Sequence, residues 1–328
     1  RQGPARLLAG DALMLPGLLK PPGLMAPSGY KLPRMVMGGT TIATSEDAGA
    51  SWTSRHTLPG GGAKVRSFAY SPTAIVAAGD INYVGRSTDG GQTWSNITIS
   101  GVNAYTGWGV IYGDGRFILF GSFGSTVYIY YSTDDGATWS NSGVTLPTGI
   151  SFIKPNSKYF HEGTFAFGSA GTNKMHVTTN GGLNWSAVTM SSVATEAAFL
   201  GTVGGVFLAA GRNVSAGRVD KSSAMTSGYS AGLTHTSSIT GGGVVNDEFM
   251  LFAGGSPSTW RSTVDGVNVL ASGSFTGVSN NPVAVAYRDG FWTVCFEGGT
   301  VRRNTTAGDR SAWTTVTTPA SGAEAVIG

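Results

Sequence analysis

Cysteine and charge are both scarce in this sequence. The 328 residues include one cysteine, Cys295, and only 12% of them are charged. A single thiol excludes an internal disulfide, and the apolar run Phe291–Phe296 around it predicts a packed core residue. The basic residues are scattered and the formal net charge is only +3. Nucleic acid is therefore not an expected partner, because a nucleic-acid groove needs clustered cations.

Long apolar runs, helix-forming stretches and metal-ligand motifs are missing as well. No apolar run reaches the length that spans a bilayer, so we expect no membrane span. The four histidines, His56, His161, His176 and His235, are far apart and keep no metal-ligand spacing, so we expect neither a metal nor a cofactor. The 51 glycines, accompanied by many Ser, Thr and aromatic residues, favour short strands joined by tight turns. These features predict a nearly all-β chain.

One octapeptide recurs along the chain, and it is the strongest signal in the sequence. Its pattern is Ser-x-Asp-x-Gly-x-Thr-Trp, with clear copies from Ser45, Ser87, Ser132 and Thr178 and weaker ones from Ser262 and Asn304. The residues that carry the pattern are Asp47, Gly49, Trp52, Asp89, Gly91, Trp94, Asp134, Gly136, Trp139, Asn180, Gly182, Trp185, Gly266, Gly308 and Trp313. A repeat of this kind must be interpreted before any other feature, since it determines the architecture.

The octapeptide resembles the Asp-box, or BNR repeat, and the resemblance implies a β-propeller. In such a box the acid accepts backbone N–H bonds within the turn between the third and fourth strands of a blade, and the indole packs beneath it. The box carboxylates are therefore expected to be structural. No catalytic residue is assigned on this basis.

The spacing of the boxes predicts seven blades. Successive starts lie 42, 45, 46, 84 and 42 residues apart, and the long interval equals two periods of a propeller repeat. A degenerate fifth blade is expected there, with its box near Asp220. The first blade lacks an inner strand, and the last residues, Gly322–Gly328, resemble the inner-strand segment Thr195–Gly201. We therefore predict four-stranded antiparallel blades in a ring that the C-terminal strand closes.

Residues 1–32 stand outside the repeat as an extended, proline-rich and apolar arm, whereas residues 33–328 form the propeller. The prolines disfavour a long helix, and the acidic and basic residues among them argue against an export signal. Three interpretations remain open: the arm packs on its own propeller, it docks on another subunit, or it is a targeting or tag-derived segment. The residues expected to contact a partner are Leu7, Leu8, Leu13, Leu15, Leu18, Leu19, Leu24 and Met25.

Catalytic chemistry is hard to find. The resemblance includes sialidases, but the Arg-Ile-Pro sequence that opens their catalytic domains is absent, and Lys31–Arg34 differs from it. Asp114, Asp247 and Asp289 occupy hairpin turns. Glu196 and Glu324, at the start of inner strands and close to the axis, are the candidate acids for glycoside hydrolysis.

The chain resembles tail-associated proteins of bacteriophages in its low charge, its blades rich in Gly, Ser and Thr, its degenerate repeats, its apolar proline-rich arm and its lack of catalytic residues. This resemblance implies a non-enzymatic structural or adhesion subunit in a virion tail, or otherwise an extracellular protein, with other protein subunits as partners. The first alternative is a propeller that binds or cleaves a cell-surface glycan. The second is an assembly scaffold similar to the Asp-box factors of photosystem biogenesis, which implies a clustered arginine patch.

Overall fold

The fold follows from a computed structural model that describes residues 34–60, 63–99, 106–123, 126–144, 153, 157–193, 195–214, 216–323 and 325–328. Within these ranges the chain forms 28 strands and no helix. No described segment is therefore a helix of the length and apolarity that crossing a membrane requires. The expected arm, residues 1–32, its boundary with the propeller, and Glu324 lie outside the described residues.

The strands of the described ranges form seven antiparallel four-stranded sheets, the blades of the propeller. Blade 1 contains β1 (Met35–Gly38), β2 (Thr41–Ser45) and β3 (Thr53–Thr57) with the C-terminal β28 (Ala325–Ile327). Blade 2 contains β4 (Val65–Tyr70), β5 (Ile75–Gly79), β6 (Val84–Ser87) and β7 (Ser95–Asn96). Blade 3 contains β8 (Thr106–Gly113), β9 (Arg116–Phe123), β10 (Thr126–Ser132) and β11 (Ser140–Asn141). Blade 4 contains β12 (Lys158–His161), β13 (Thr164–Gly168), β14 (Lys174–Thr178) and β15 (Ser186–Thr189).

The remaining three blades have the same order. Blade 5 contains β16 (Glu196–Val203), β17 (Val206–Asn213), β18 (Ala216–Ser222) and β19 (Ser230–His235). Blade 6 contains β20 (Ile239–Val245), β21 (Glu248–Ala253), β22 (Ser258–Thr263) and β23 (Ala271–Phe275). Blade 7 contains β24 (Pro282–Arg288), β25 (Phe291–Phe296), β26 (Val301–Thr306) and β27 (Asp309–Thr315).

The C-terminal strand closes the ring, as predicted. β28 pairs with β1 through Ala325 opposite Gly38 and Ile327 opposite Val36. As the innermost strand of blade 1 it also packs against β24 and β4, the innermost strands of blades 7 and 2. The two ends of the described chain are therefore joined in one sheet, and blade 1 is completed as a four-stranded sheet.

The hydrophobic core lies between blades. The buried apolar residues of the described chain fall into seven clusters, and each cluster fills the joint between two neighbouring blades. Cys295 is fully buried in the joint between blades 7 and 1, as its apolar neighbours predicted. Because every joint is filled in this way, each blade depends on both of its neighbours for burial.

The boxes and the first-hairpin turns lie on the same face of the ring, which we call the box face. Asp114, Asp247 and Asp289 have backbone φ angles of 44°, 58° and 50°, the left-handed conformation that turns require and that Asp tolerates better than most residues. Their assignment to turns is confirmed. The inner strands begin on the other face, which we call the opposite face.

The box glycines lie within the joints. Gly136 has a φ of 79°, and a Cβ placed there would lie 2.5 Å from Cγ2 of Val76 on β5 of the preceding blade. The glycines of the other regular boxes meet equivalent neighbours; Gly91, for instance, faces Val36 on β1. Glycine is therefore required for two reasons, a left-handed backbone and the close approach of two blades.

We predict that Gly136→Ala lowers the free energy of unfolding by about 3 kcal/mol, from left-handed strain together with overpacking against Val76. The matched control is Gly308→Ala. Gly308 has the same φ of 79° but has no atom within 4 Å of a Cβ placed there, so about 1 kcal/mol is expected from strain alone. Urea unfolding of both variants measures the difference. Equal losses would contradict a role for the glycine in the joint.

Candidate functional site

The box turn is a closed hydrogen-bonded unit in the four regular blades. In blade 2, Ser87 Oγ donates to Asp89 Oδ1 at 2.8 Å and accepts the N–H of Gly91 at 2.8 Å. The Thr93 N–H donates to the same carboxylate, and Trp94 Nε1 donates to the Gly91 carbonyl at 2.9 Å. Asp47 and Trp52, Asp134, Gly136 and Trp139, and Asn180, Gly182 and Trp185 make the corresponding bonds. The box acids thus hold their own turns.

The hydrogen bonds of the box change the pKa of its acids. Burial by itself would raise the pKa of Asp89 and Asp134, but bonds from the Thr93 and Thr138 hydroxyl and N–H groups, from Ser87 and Ser132, and from the turn backbone lower each to about 2. A carboxyl group whose pKa is lower in the folded state than in the unfolded state stabilises the fold at any pH above its unfolded-state pKa. This stabilisation is lost as the pH falls through the folded-state pKa.

We therefore predict that the unfolding temperature falls between about pH 4 and pH 2 and that Asp134→Asn makes this dependence shallower, because the amide does not titrate. Asn is compatible with the turn, since Asn180 already occupies this position in blade 4. The reverse change, Asn180→Asp, should make the dependence steeper. Thermal unfolding across this range is the measurement, and identical slopes in all three proteins would contradict the assignment.

An arginine of the preceding blade binds each regular box. Arg34 Nη1 donates to the Gly90 carbonyl at 3.0 Å, and Arg86 Nε donates to the Asp135 carbonyl at 2.7 Å. Arg116 and Arg303 bind the carbonyls of Gly181 and Ala48 in the same way. In all four boxes the acceptor is the fourth box residue. These arginines therefore lie at four different joints and do not form the clustered patch that an assembly scaffold of the photosystem type implied.

The boxes of blades 5 and 6 begin later than the sequence pattern indicated. Asp220 lies inside β18 and accepts the N–H groups of Ser192 and Val193, so the expected fifth box near Asp220 is wrong. The third strand of blade 5 ends at Ser222, where the turn begins. In blade 6 the turn begins at Thr263, whose hydroxyl donates to Asp265 at 3.0 Å.

Gly266 and the blade 7 residues keep parts of the pattern. Gly266 has a φ of 69° and its carbonyl accepts the N–H of Leu233 of the preceding blade at 2.7 Å. In blade 7, Trp313 Nε1 donates to the carbonyl of Arg310 at 3.0 Å, whereas the Gly308 N–H donates to Gly290 in the first-hairpin turn. The degenerate boxes thus still contact a neighbouring element, by other bonds.

The turn of blade 6 exposes four apolar side chains. They are Val264, Val267, Val269 and Leu270, with exposed fractions of 40%, 40%, 42% and 59%. We call these four residues the blade 6 patch. Sequence reasoning missed it because the box was expected to begin at Ser262, so these positions were not compared with Thr and Trp of the regular boxes. Several exposed apolar side chains within one turn are typical of interaction sites.

A polar pocket of about 470 Å³ opens on the opposite face, across blades 5, 6 and 7. Glu196 at the start of β16 is 8% exposed, and its carboxylate pairs with Arg212 at 3.1 Å. Asn281 Nδ2 donates to Glu297 Oε2 at 2.7 Å on the other wall. The rest of the lining is Thr236, Ser237, Ser238, Ile239, Thr240 and Gly254.

One of the two acids expected near the axis, Glu196, lines the pocket on its inner wall. Its carboxylate forms an ion pair with Arg212, which lies opposite Glu196 on the neighbouring strand. The Ser237 N–H donates to His235 Nδ1 at 3.0 Å and so holds the pocket loop. The arrangement offers a cation, hydroxyls, an amide and two carboxylates, which suit a polar, hydroxylated ligand.

The fold separates the side chains that could bind a metal and buries several of the aromatic residues. Across the part of the chain that the structure describes, no group of three His, Cys, Asp or Glu side chains is placed to hold a metal. Of the aromatic residues, Tyr130, Trp260 and Trp292 are buried at 3%, 4% and 2% exposure. They pack in the joints between blades.

The comparisons with known proteins agree with the fold. The BNR/Asp-box repeat model matches residues 130–141, the box of blade 3. No curated protein matches the sequence. Among solved structures, YCF48 from Cyanidioschyzon merolae is 16% identical with a TM-score of 0.57, covering 76% of this chain and 84% of that one.

Two further structures are similar. YCF48 bound to D1 peptide is 16% identical, with a TM-score of 0.55 over 74% of this chain and 77% of that one. The WD40 β-propeller domain of Doa1 is 14% identical, with a TM-score of 0.56 over 78% and 82%. Since 712 solved chains match, the similarity shows a common fold and does not by itself assign an activity.

Proposed function

We propose that this seven-bladed propeller with Asp-box repeats is a non-enzymatic structural or adhesion subunit of a phage-like tail. The ring is a rigid platform, and the arm at residues 1–32 docks on neighbouring subunits. Its place is the virion tail, or otherwise the outside of the cell. The general part of this proposal is that the propeller binds other proteins, and similar propellers support it.

The blade 6 patch is the observation that carries the proposal. A protein that works alone in water rarely keeps four neighbouring apolar side chains exposed, so a partner that covers them is expected. The box turn holds these residues rigidly, because Asp265 Oδ1 accepts the N–H groups of Val267 and Asn268, each at 2.8 Å. A preformed apolar surface loses little conformational entropy when it binds.

Similar propellers support a protein partner. YCF48 has been solved with a bound D1 peptide, so a propeller of this shape presents surfaces that accept another polypeptide. The acids of the described chain that the sequence singled out are held within the fold, Glu196 by Arg212 and Asp220 by backbone N–H groups. These bonds suit a structural role better than a catalytic one.

We predict that a shortened chain beginning at Tyr30 stays folded but loses a defined partner that the full chain retains. The propeller keeps its own core, so folding is expected to survive, whereas the apolar arm is the proposed contact. Light scattering measures the oligomeric state, and pull-down from the native particle or lysate measures the partner. If both proteins are monomers that retain the same partners, the proposal fails.

The polar pocket favours a second candidate, the binding of a cell-surface glycan. Side chains from three blades converge there, and the exposed guanidinium of Arg212, 45% accessible beside Glu196, is available to a carboxylated or hydroxylated sugar. Hydroxyls and an amide on the walls provide further donors and acceptors. Glycan cleavage belongs to the same candidate and would require a pair of carboxyl groups about the sugar.

For this candidate we predict that Arg212→Met weakens glycan binding by about tenfold or more, as the loss of a charge-assisted hydrogen bond implies. The matched control is Arg218→Met on the adjacent strand, whose guanidinium donates to the Gly217 carbonyl and which does not line the pocket. Glycan-array screening followed by calorimetry makes the comparison. Equal binding by both variants, or no bound glycan, would exclude the pocket as a glycan site.

A further inference from the structure

The blade 6 patch differs from the other boxes at the positions that normally hold the turn. The regular boxes place Ser, Thr or Asn seventh, bonded to the box acid, and a half-buried Trp eighth. In blade 6 Asn268 has the role of the seventh residue, since its N–H and its Nδ2 both donate to Asp265. Val269 and Leu270 follow it where the regular boxes have Trp, and both side chains face water. The turn therefore remains closed while its outer surface is apolar.

The described part of the chain begins on the same face as the patch. Arg34, the first described residue, lies at the joint of blades 1 and 2 on the box face. There Arg34 Nη1 donates to the Asp89 and Gly90 carbonyls, each at 3.0 Å. The segment before it, residues 1–33, is thus attached at the face that carries the patch. Fully extended, 33 residues reach about 100 Å.

We propose that the blade 6 patch is the docking site for the N-terminal segment, residues 1–33, of a second copy of this chain. This inference rests on the proposed function and names the neighbour on which the arm docks. Each copy carries one apolar segment and one patch on the same face. Two copies with their box faces opposed can therefore exchange segments reciprocally, as a two-fold contact requires.

The composition of the segment favours a second copy over its own propeller. Its five prolines, Pro4, Pro16, Pro21, Pro22 and Pro27, favour an extended course, in which side chains point to several sides. The leucines and methionines occur in every part of the segment, so one supporting surface covers only part of them. Two opposed box faces bury both sides of an extended apolar chain, which is the larger hydrophobic gain.

The test is cross-linking between two variants of the full chain, each of which gains one cysteine. One carries Leu18→Cys in the segment and the other Val267→Cys in the patch, while the buried Cys295 stays in place and the unchanged protein reports its contribution. We expect a disulfide-linked dimer when the two are mixed under mild oxidation. Leu183→Cys is the matched control, since Leu183 is 50% exposed on the box turn of blade 4, and its mixture should give little dimer.

A charge variant gives an independent measurement. Val267→Asp combined with Leu270→Asp should weaken self-association by at least about tenfold, measured by sedimentation, because two buried apolar contacts are replaced by carboxylates. Leu183→Asp should leave self-association unchanged. Both changes lie on exposed turn residues, so thermal unfolding checks that the propeller remains intact.

The outcomes separate this inference from the proposed function. An internal link in the Leu18→Cys, Val267→Cys double variant, without a dimer in the mixture, would overturn the second copy as the occupant. The absence of any link at Val267 would overturn the docking site, even if the chain beginning at Tyr30 loses another partner. A dimer in the mixture, without any partner from the native particle, would support the docking site and leave the tail assignment refuted.

Discussion

The joints of the regular blades depend on the close approach between a box turn and the second strand of the preceding blade. At the joint of blades 2 and 3 the absence of a side chain at Gly136 lets the turn lie on Val76, and Arg86 of the same preceding blade binds the turn carbonyl. Packing without a Cβ and a charge-assisted hydrogen bond act at the same place. The box is therefore a joint between blades as much as a hairpin within one.

The regular and degenerate blades divide the ring. The box turns of blades 1 to 4 each receive an arginine from the blade before them, whereas the turns of blades 5 and 6 have lost parts of the pattern. Both candidate surfaces lie in the degenerate part: the polar pocket spans blades 5 to 7, and the blade 6 patch is a modified box turn. The four regular blades share one bonding geometry, whereas the turns of blades 5 and 6 carry apolar or irregular residues.

The two faces offer different chemistry to a partner. The box face presents turns whose acids bond to their own backbone, and exposed apolar residues such as Leu270 stand among them. The opposite face presents a pocket of hydroxyls, an amide and paired charges around Glu196 and Arg212. A platform with one apolar and one polar surface can hold a protein neighbour on one side and a polar ligand on the other.

The sequence by itself determined the all-β class, the seven blades and the closure by the C-terminal strand. These follow from local patterns, because a repeat must form one supersecondary unit wherever it occurs and an unpaired inner strand must find its partner. It also located the box acids, since their bonds join residues within one turn. Only the tertiary structure decided where the boxes of blades 5 and 6 begin, because the strand register that places Ser222 and Thr263 at the turns depends on pairing across the sheet. The ion pair of Glu196 with Arg212, the arginine bonds between blades and the exposure of Leu270 join or separate residues of different strands and blades, and no local pattern records such contacts.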